Sequence, residues 1–186
     1  MSFDRFTHFV RAPMLEALIF VVFPFCMLFA AISDMLSMTI ANTVSIVLVI
    51  VFAIVAPLTG MDWAAYGLHF AAGGIVLLVT FALFALGGMG GGDAKLLAAT
   101  ALWMGLSTHL VEYLVISAFL GGLLTIAILS FRASGLALFS SRNMFLRNFA
   151  DKSVGVPYGI ALGLGGLIAY PGSPLMVWAL GQLAAK

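Results

Sequence analysis

Charge is scarce in this chain. Asp, Glu, Lys and Arg make up 8% of its 186 residues, against roughly a quarter in ordinary soluble domains. A mean hydropathy of +1.20 excludes a water-soluble globular fold. A net charge of +1 excludes the basic surface that a nucleic-acid partner needs. Cysteine is nearly absent as well. The single Cys26 lies inside the first apolar run, so neither a disulfide framework nor a CxxC zinc site can be built. The other titratable residues form no metal-ligand cluster, and the sequence implies no metal and no cofactor. Alternating strand patterns are missing and the apolar runs are continuous, which leaves an all-α, polytopic membrane protein. No extramembrane stretch is long enough for a second globular unit, so residues 1–186 read as a single membrane-embedded domain.

What is present is a series of about six transmembrane segments, at 14–33, 40–58, 66–86, 94–107, 110–130 and 154–170. Arg5 and Arg11 precede the first run as they would a secretory signal, but the run is longer than a signal's apolar region and further spans follow. Segment 131–153 interleaves Arg132, Arg142, Arg147 and Lys152 with Leu138, Phe139, Phe145, Leu146 and Phe149. That pattern predicts an amphipathic helix lying on an anionic membrane face. Gly155, Gly159 and Gly163 recur every four residues in the last span, a spacing that lets helices approach closely. The residues after Pro174 are too few to cross again.

Two long apolar runs are interrupted by Gly87-Gly88-Met89-Gly90-Gly91-Gly92-Asp93-Ala94-Lys95. Backbone at membrane depth must satisfy its own hydrogen bonds, so such a break needs a protein-lined or wet setting. The span after it, 94–107, falls short of the roughly 20 residues a crossing requires. The crossing works if the glycine stretch itself dips below the membrane surface and the helix begins near Asp93. An ionisable residue there is a functional candidate. Counting crossings puts Asp34, at the end of the first span, on the same side as Asp93. That side also carries Lys95, Arg132, Arg142, Arg147 and Lys152, against Arg5, Arg11 and Lys186 opposite. By the positive-inside tendency, the aspartate face is cytoplasmic.

Two carboxylates on one membrane face, each at a helix boundary, suit aspartyl peptide hydrolysis. One ionised aspartate takes a proton from water while the other, protonated, polarises the scissile carbonyl. The glycines Gly90, Gly91 and Gly92 admit an extended substrate backbone, and Lys95 either tunes Asp93 or snorkels to headgroups. The bland readings stand beside these. A span-end aspartate such as Asp34 is commonly just solvated, and a carboxylate at the N-terminus of a helix, like Asp93, is favoured by the helix dipole alone. His69, Glu112 and Asp62 map to the opposite face or to buried positions.

Gly90-Gly91-Gly92-Asp93 fits the GxGD signature of intramembrane-type aspartyl proteases. The longer string from Gly88 to Lys95, followed by Leu96-Leu97-Ala98-Ala99, resembles the type IV prepilin peptidases, and most of all their short forms serving Flp-type (tight adherence) pili. Asp34 followed by Ile40-Ala41-Asn42 resembles the family's first aspartate motif, where Ile-Pro-Asn is common; Ala41 departs from that proline. Val156-Pro157-Tyr158-Gly159 resembles a further element opening the last span. The resemblance implies an endopeptidase of the bacterial cytoplasmic membrane with Asp34 and Asp93 as its catalytic pair. Its partners would be prepilin or pseudopilin leader peptides, cut after a glycine at the cytoplasmic boundary of their apolar helix, together with membrane lipid and other pilus-assembly proteins. Larger members also N-methylate the new terminus and carry a cytoplasmic domain with CxxC pairs. This chain has neither those cysteines nor room for that domain, so methyl transfer is not expected.

Two other functions compete. A transporter could use Asp34 and Asp93 as a proton or cation site, but inverted repeats would favour it and no duplication between the halves is visible. A non-catalytic pilus-assembly factor would keep the fold, yet would have no need of both aspartates and the glycine string.

Overall fold

A computed structural model describes residues 3–134 and 155–185, and their side chains from Pro13 onward. Of the basic segment expected at 131–153, only residues up to Ser134 are described, and Arg142, Arg147 and Lys152 lie outside. The described residues are all-helical. In chain order the helices are α1 (Phe3–Ser37), α2 (Asn42–Leu58), α3 (Trp63–Ala85), α4 (Gly91–Met104), α5 (Thr108–Ala133), α6 (Tyr158–Ala169) and α7 (Pro174–Ala184), with a 3-10 turn at Tyr170–Gly172.

Among the described residues, three stretches are long and apolar enough to cross a membrane by themselves: Pro13–Ser37, Trp63–Ala85 and Thr108–Ala133. The pair α6 and α7, bent by 49° at the 3-10 turn, makes a fourth if it counts as one broken span. The two remaining helices are short. α2 has 17 residues and α4 has 14, so α4 is about 21 Å long against an apolar bilayer thickness of about 30 Å.

Short as it is, α4 is the centre of the bundle. α3 packs along it most extensively, and α2 leans on it from another side. Every residue from Leu96 to Met104 is buried. Close approach of α3 is set by Gly73, where an added Cβ would lie 3.2 Å from the Ala98 carbonyl oxygen. In a medium without water, polar atoms on these helices need partners inside the protein. Trp103 donates its indole N–H to Leu48 O on α2 at 3.0 Å, and His69 donates from Nδ1 to Leu102 O at 2.7 Å. His69 is thereby a satisfied buried group. A second packing layer joins α1 to α6 and α7. The Phe23 and Tyr170 rings stack at 4.0 Å with 14° between planes, and the Tyr170 hydroxyl donates to Ile19 O at 2.6 Å.

The helix ends are specified locally. Asp62 caps α3, accepting from Ala64 N at 3.0 Å, which accounts for its carboxylate. α3 ends in a Schellman turn: Gly88 N–H bonds Leu83 O and Gly87 N–H bonds Phe84 O, both at 2.9 Å. Gly87 sits at φ +75°, a left-handed conformation that glycine adopts without a Cβ penalty. Gly90 follows as the N-cap of α4. α1 runs one turn further than the first apolar run, to Ser37, so Asp34 lies within the last turn of a helix rather than beyond its end. Met38 stops it at φ +55°, left-handed for a non-glycine residue, with its N–H on Asp34 O at 2.9 Å.

Candidate active site

The α1–α2 link and the glycine stretch between α3 and α4 meet at one end of the bundle. They bound, with the start of α6, a recess of about 510 Å3. Asp34 and Asp93 both line it, and their carboxyl groups are near enough to act on each other electrostatically. The remaining wall is Met38, the backbone of Gly87–Gly90, and Gly155, Val156 and Tyr158.

Each aspartate is held by backbone donors. Asp93 is the third residue of α4, and its carboxyl reaches back to the Gly90 N–H at the N-cap. This is one half of a capping box, and a helix N-terminus favours a carboxylate there. The fit is tight, because a Cβ built on Gly90 would lie 2.6 Å from Asp93 Oδ2. Asp34 is 5% exposed and accepts the Gly159 N–H at 2.6 Å. Gly159 is the second residue of α6, so the N-terminus of that helix points at the Asp34 carboxyl as that of α4 does at Asp93. Close passage of α6 over α1 depends on missing side chains. A Cβ on Gly159 would lie 2.7 Å from Asp34 Cβ, and one on Gly163 would lie 2.7 Å from Met27 O.

Tyr158 at the rim is tied to α5. Its hydroxyl lies 3.0 Å from Thr125 Oγ1, and its ring lies over Gly121, where an added Cβ would meet Cε1 at 2.8 Å. Arg132 on α5 donates to Gly155 O at 3.0 Å. The entrance to α6 is thus tied to α5 at two points, and with it the N–H that holds Asp34.

The other residues singled out from sequence are distributed differently. Gly90 lines the recess. Gly91 turns to Phe84 on α3, with 3.3 Å from a built Cβ to Cε2, and Gly92 turns to Ile40, with 3.2 Å to its Cβ. Both therefore serve the packing of the first turn of α4. Lys95 stands outside the recess on the far side of α4, where its Nζ donates to Asn42 Oδ1 at 2.9 Å. Residues two apart on a helix face away from one another, so that placement follows from the spacing to Asp93. The sequence marks Gly159 as a packing residue and as the end of the element that opens the last span; its hydrogen bond to a carboxyl 125 residues earlier is a tertiary feature.

The family model for the type IV leader peptidase family matches residues 21–128, more than half of the chain. The chain belongs to the type IV leader peptidase family. Its function is of the leader-peptidase kind, with prepilin leaders as the substrate class in general. Both aspartates, the Ile40-Ala41-Asn42 turn and the whole glycine stretch fall inside the matched residues, whereas Gly159 falls outside them. No curated protein and no solved structure matches the chain.

Proposed function

We propose that this protein is a membrane aspartyl endopeptidase, of the short Flp-pilus type, that removes prepilin leaders at the cytoplasmic face of the bacterial inner membrane. The observation that carries the reading is the shared recess of Asp34 and Asp93, in a chain of the leader peptidase family.

The chemistry is general acid–base hydrolysis by a pair that holds one proton. Like charges held close do not both ionise cheaply, so the pair titrates as a unit. The ionised aspartate takes a proton from water as the water oxygen bonds to the scissile carbonyl carbon. The protonated aspartate donates to the carbonyl oxygen, giving a tetrahedral diol. When the C–N bond breaks, the leaving nitrogen takes up a proton from the first aspartate, and the diol's hydroxyl returns one to the second. The pair ends with the single proton it began with. The extended substrate lies against the Gly87–Gly90 stretch, which lines the recess. Asp34 and Asp93 are the residues assigned to catalysis, and Gly90 to backbone approach.

The test uses a probe of defined composition: a short basic leader, a glycine and an apolar helix of about 20 residues, reconstituted with the protein in liposomes. Mass spectrometry should find a new N-terminus directly after the glycine. Intact probe after long incubation, or cleavage that persists in Asp34→Asn or Asp93→Asn, would overturn the assignment.

A further inference from the structure

α2 and α3 both lean on α4 but scarcely touch one another. The gap between them is a groove of about 590 Å3, walled by Ile46, Val49 and Leu77 and floored by Gly73, Gly74 and Ala98. Apolar walls say little in a membrane protein, because lipid-facing surface is apolar anyway. Three other features single the groove out.

The first is Ser45 on its α2 wall. The residue is 8% exposed, and its hydroxyl meets no hydrogen-bond partner among the described residues. That hydroxyl is covered as the groove stands; a turn about χ1 would bring it to the carbonyl oxygens of an apposed helix, which an acyl chain lacks. The second is the floor. A Cβ on Gly74 would meet nothing within 4 Å, so a backbone can approach α3 there as small residues allow in helix pairs. The third is position. The Lys95–Asn42 bond of 2.9 Å ties α4 to α2 at the end of the groove nearest the recess, and Lys95 is two residues from Asp93. The groove and the recess therefore flank the same first turn of α4.

We propose that this groove docks the apolar helix of the substrate while the leader junction occupies the recess. The proposal rests on the leader-peptidase reading above. A helix is about 10 Å across and an extended chain advances about 3.3 Å per residue. About three to four extended residues therefore carry the substrate from the groove, past the first turn of α4, to the aspartates. The docked helix explains how a short basic leader with little sequence of its own is selected: the membrane-embedded part is held first, and the bond beside it is delivered.

The test uses the same probe in liposomes with two readouts. In the first, a photoactivatable side chain is placed at Val49 or Leu77 in the groove, or at Phe119 or Ile126 on exposed positions of α5. Adducts with the probe should form from the groove positions at about ten times the yield from α5, and Gly74→Leu should lower them about tenfold. In the second, Gly74→Leu should raise KM about tenfold for the probe, but less than about twofold for a leader peptide truncated before the apolar helix. Gly74→Ala should behave as wild type in both. Equal adduct yields from groove and α5, or phospholipid adducts alone, would overturn the docking site. An equal KM rise on both peptides would overturn it too, because the substitution would then be acting on the recess. Groove adducts with a probe that is never cut would leave the docking site standing and remove the peptidase reading.

Discussion

The Gly159 N–H donates to Asp34 Oδ2 at 2.6 Å across 125 residues of sequence. This bond makes the C-terminal part of the chain a structural component of a site whose two carboxyls both lie in the N-terminal half. It also gives the two aspartates matching environments, each facing the first turn of a helix that presents free N–H groups. α6 reaches that place because Gly159 and Gly163 bring its backbone against α1, and because Tyr158 and Arg132 anchor its start to α5.

Gly159→Ala should therefore disable the site without unfolding the bundle. The added Cβ would lie 2.7 Å from Asp34 Cβ and 2.9 Å from its Oδ2, so either α6 or the carboxyl must move. Loss of a positioned acid or base costs about a hundred- to ten-thousandfold in rate. Cleavage of the reconstituted probe should fall by at least the lower figure, with unchanged helical circular dichroism. Near-wild-type turnover would show that the bond to Asp34 is dispensable.

Asp34 and Asp93 should behave as one unit. Asp34→Ala and Asp93→Ala should each abolish cleavage, and the double variant should be no worse than either, as expected for residues acting together. The pH profile follows from the shared proton. At low pH both carboxyls are protonated and no base remains; at high pH both are ionised and no acid remains. The wild-type kcat/KM should be bell-shaped, with limbs belonging to the pair. Additive losses in the double variant, or a profile with a single limb, would refute joint action.

Much of this architecture was legible in the sequence because apolar run length and glycine content act locally. Helices α2, α3 and α5 begin and end within a few residues of the expected spans, and the short helix after the glycine stretch starts at Gly91, two residues before Asp93. Other features depended on contacts far away in the chain. The first apolar run ends at a charged residue, so the span was expected to stop at 33. The helix continues to Ser37, with the Asp34 carboxyl taken up by the Gly159 N–H of α6. The last span was expected over 154–170. It is instead a helix from Tyr158, a 3-10 turn containing Pro171, and α7, whose Leu175 and Ala179 are buried. The side on which Lys95 falls was available from helical periodicity, but its partner Asn42, 53 residues away, was not.

Ala41 stands where the resembling motif has proline, and its geometry makes the exchange testable. It lies at φ −63°, the angle a proline ring imposes, and among the described residues no hydrogen bond from its N–H is found. Ala41→Pro should be tolerated and should stabilise by about 0.4–1 kcal/mol through loss of unfolded-state freedom. A raised midpoint of thermal unfolding with unchanged kcat/KM is the expected result. A marked loss of activity would mean that the α1–α2 link must flex during turnover.

Gly90 and Gly73 separate approach from packing. A Cβ on Gly90 would meet Asp93 Oδ2 at 2.6 Å, whereas one on Gly73 would meet Ala98 O at 3.2 Å. Gly90→Val adds a β-branched side chain in the recess itself and should remove nearly all cleavage. Gly73→Ala should act through helix packing, lowering stability by about 1–3 kcal/mol with a smaller effect on kcat. Equal losses of kcat in folded protein would sink the distinction.

The depth and sidedness of the glycine stretch can be read with thiol chemistry. α4 is too short to cross unless the chain from Gly87 to Gly90 lies below the membrane surface, and the Schellman turn at its start supplies the internal hydrogen bonds such a position demands. Cysteines introduced singly from Gly87 to Lys95, with the buried Cys26 replaced by Ser, report on this. In intact cells an impermeant thiol reagent should leave all of them unmodified. In inverted vesicles reactivity should be graded: highest at Gly87, which is exposed at the recess, and lowest at Ala94, which is buried. Gly88 and Gly90 should react at intermediate rates and be protected when the probe is bound. Rapid labelling in intact cells would put Asp93 on the outer face, where no cytoplasmic leader could reach it. Uniformly rapid labelling in vesicles would put the stretch in bulk water, and the recessed site would have to be abandoned.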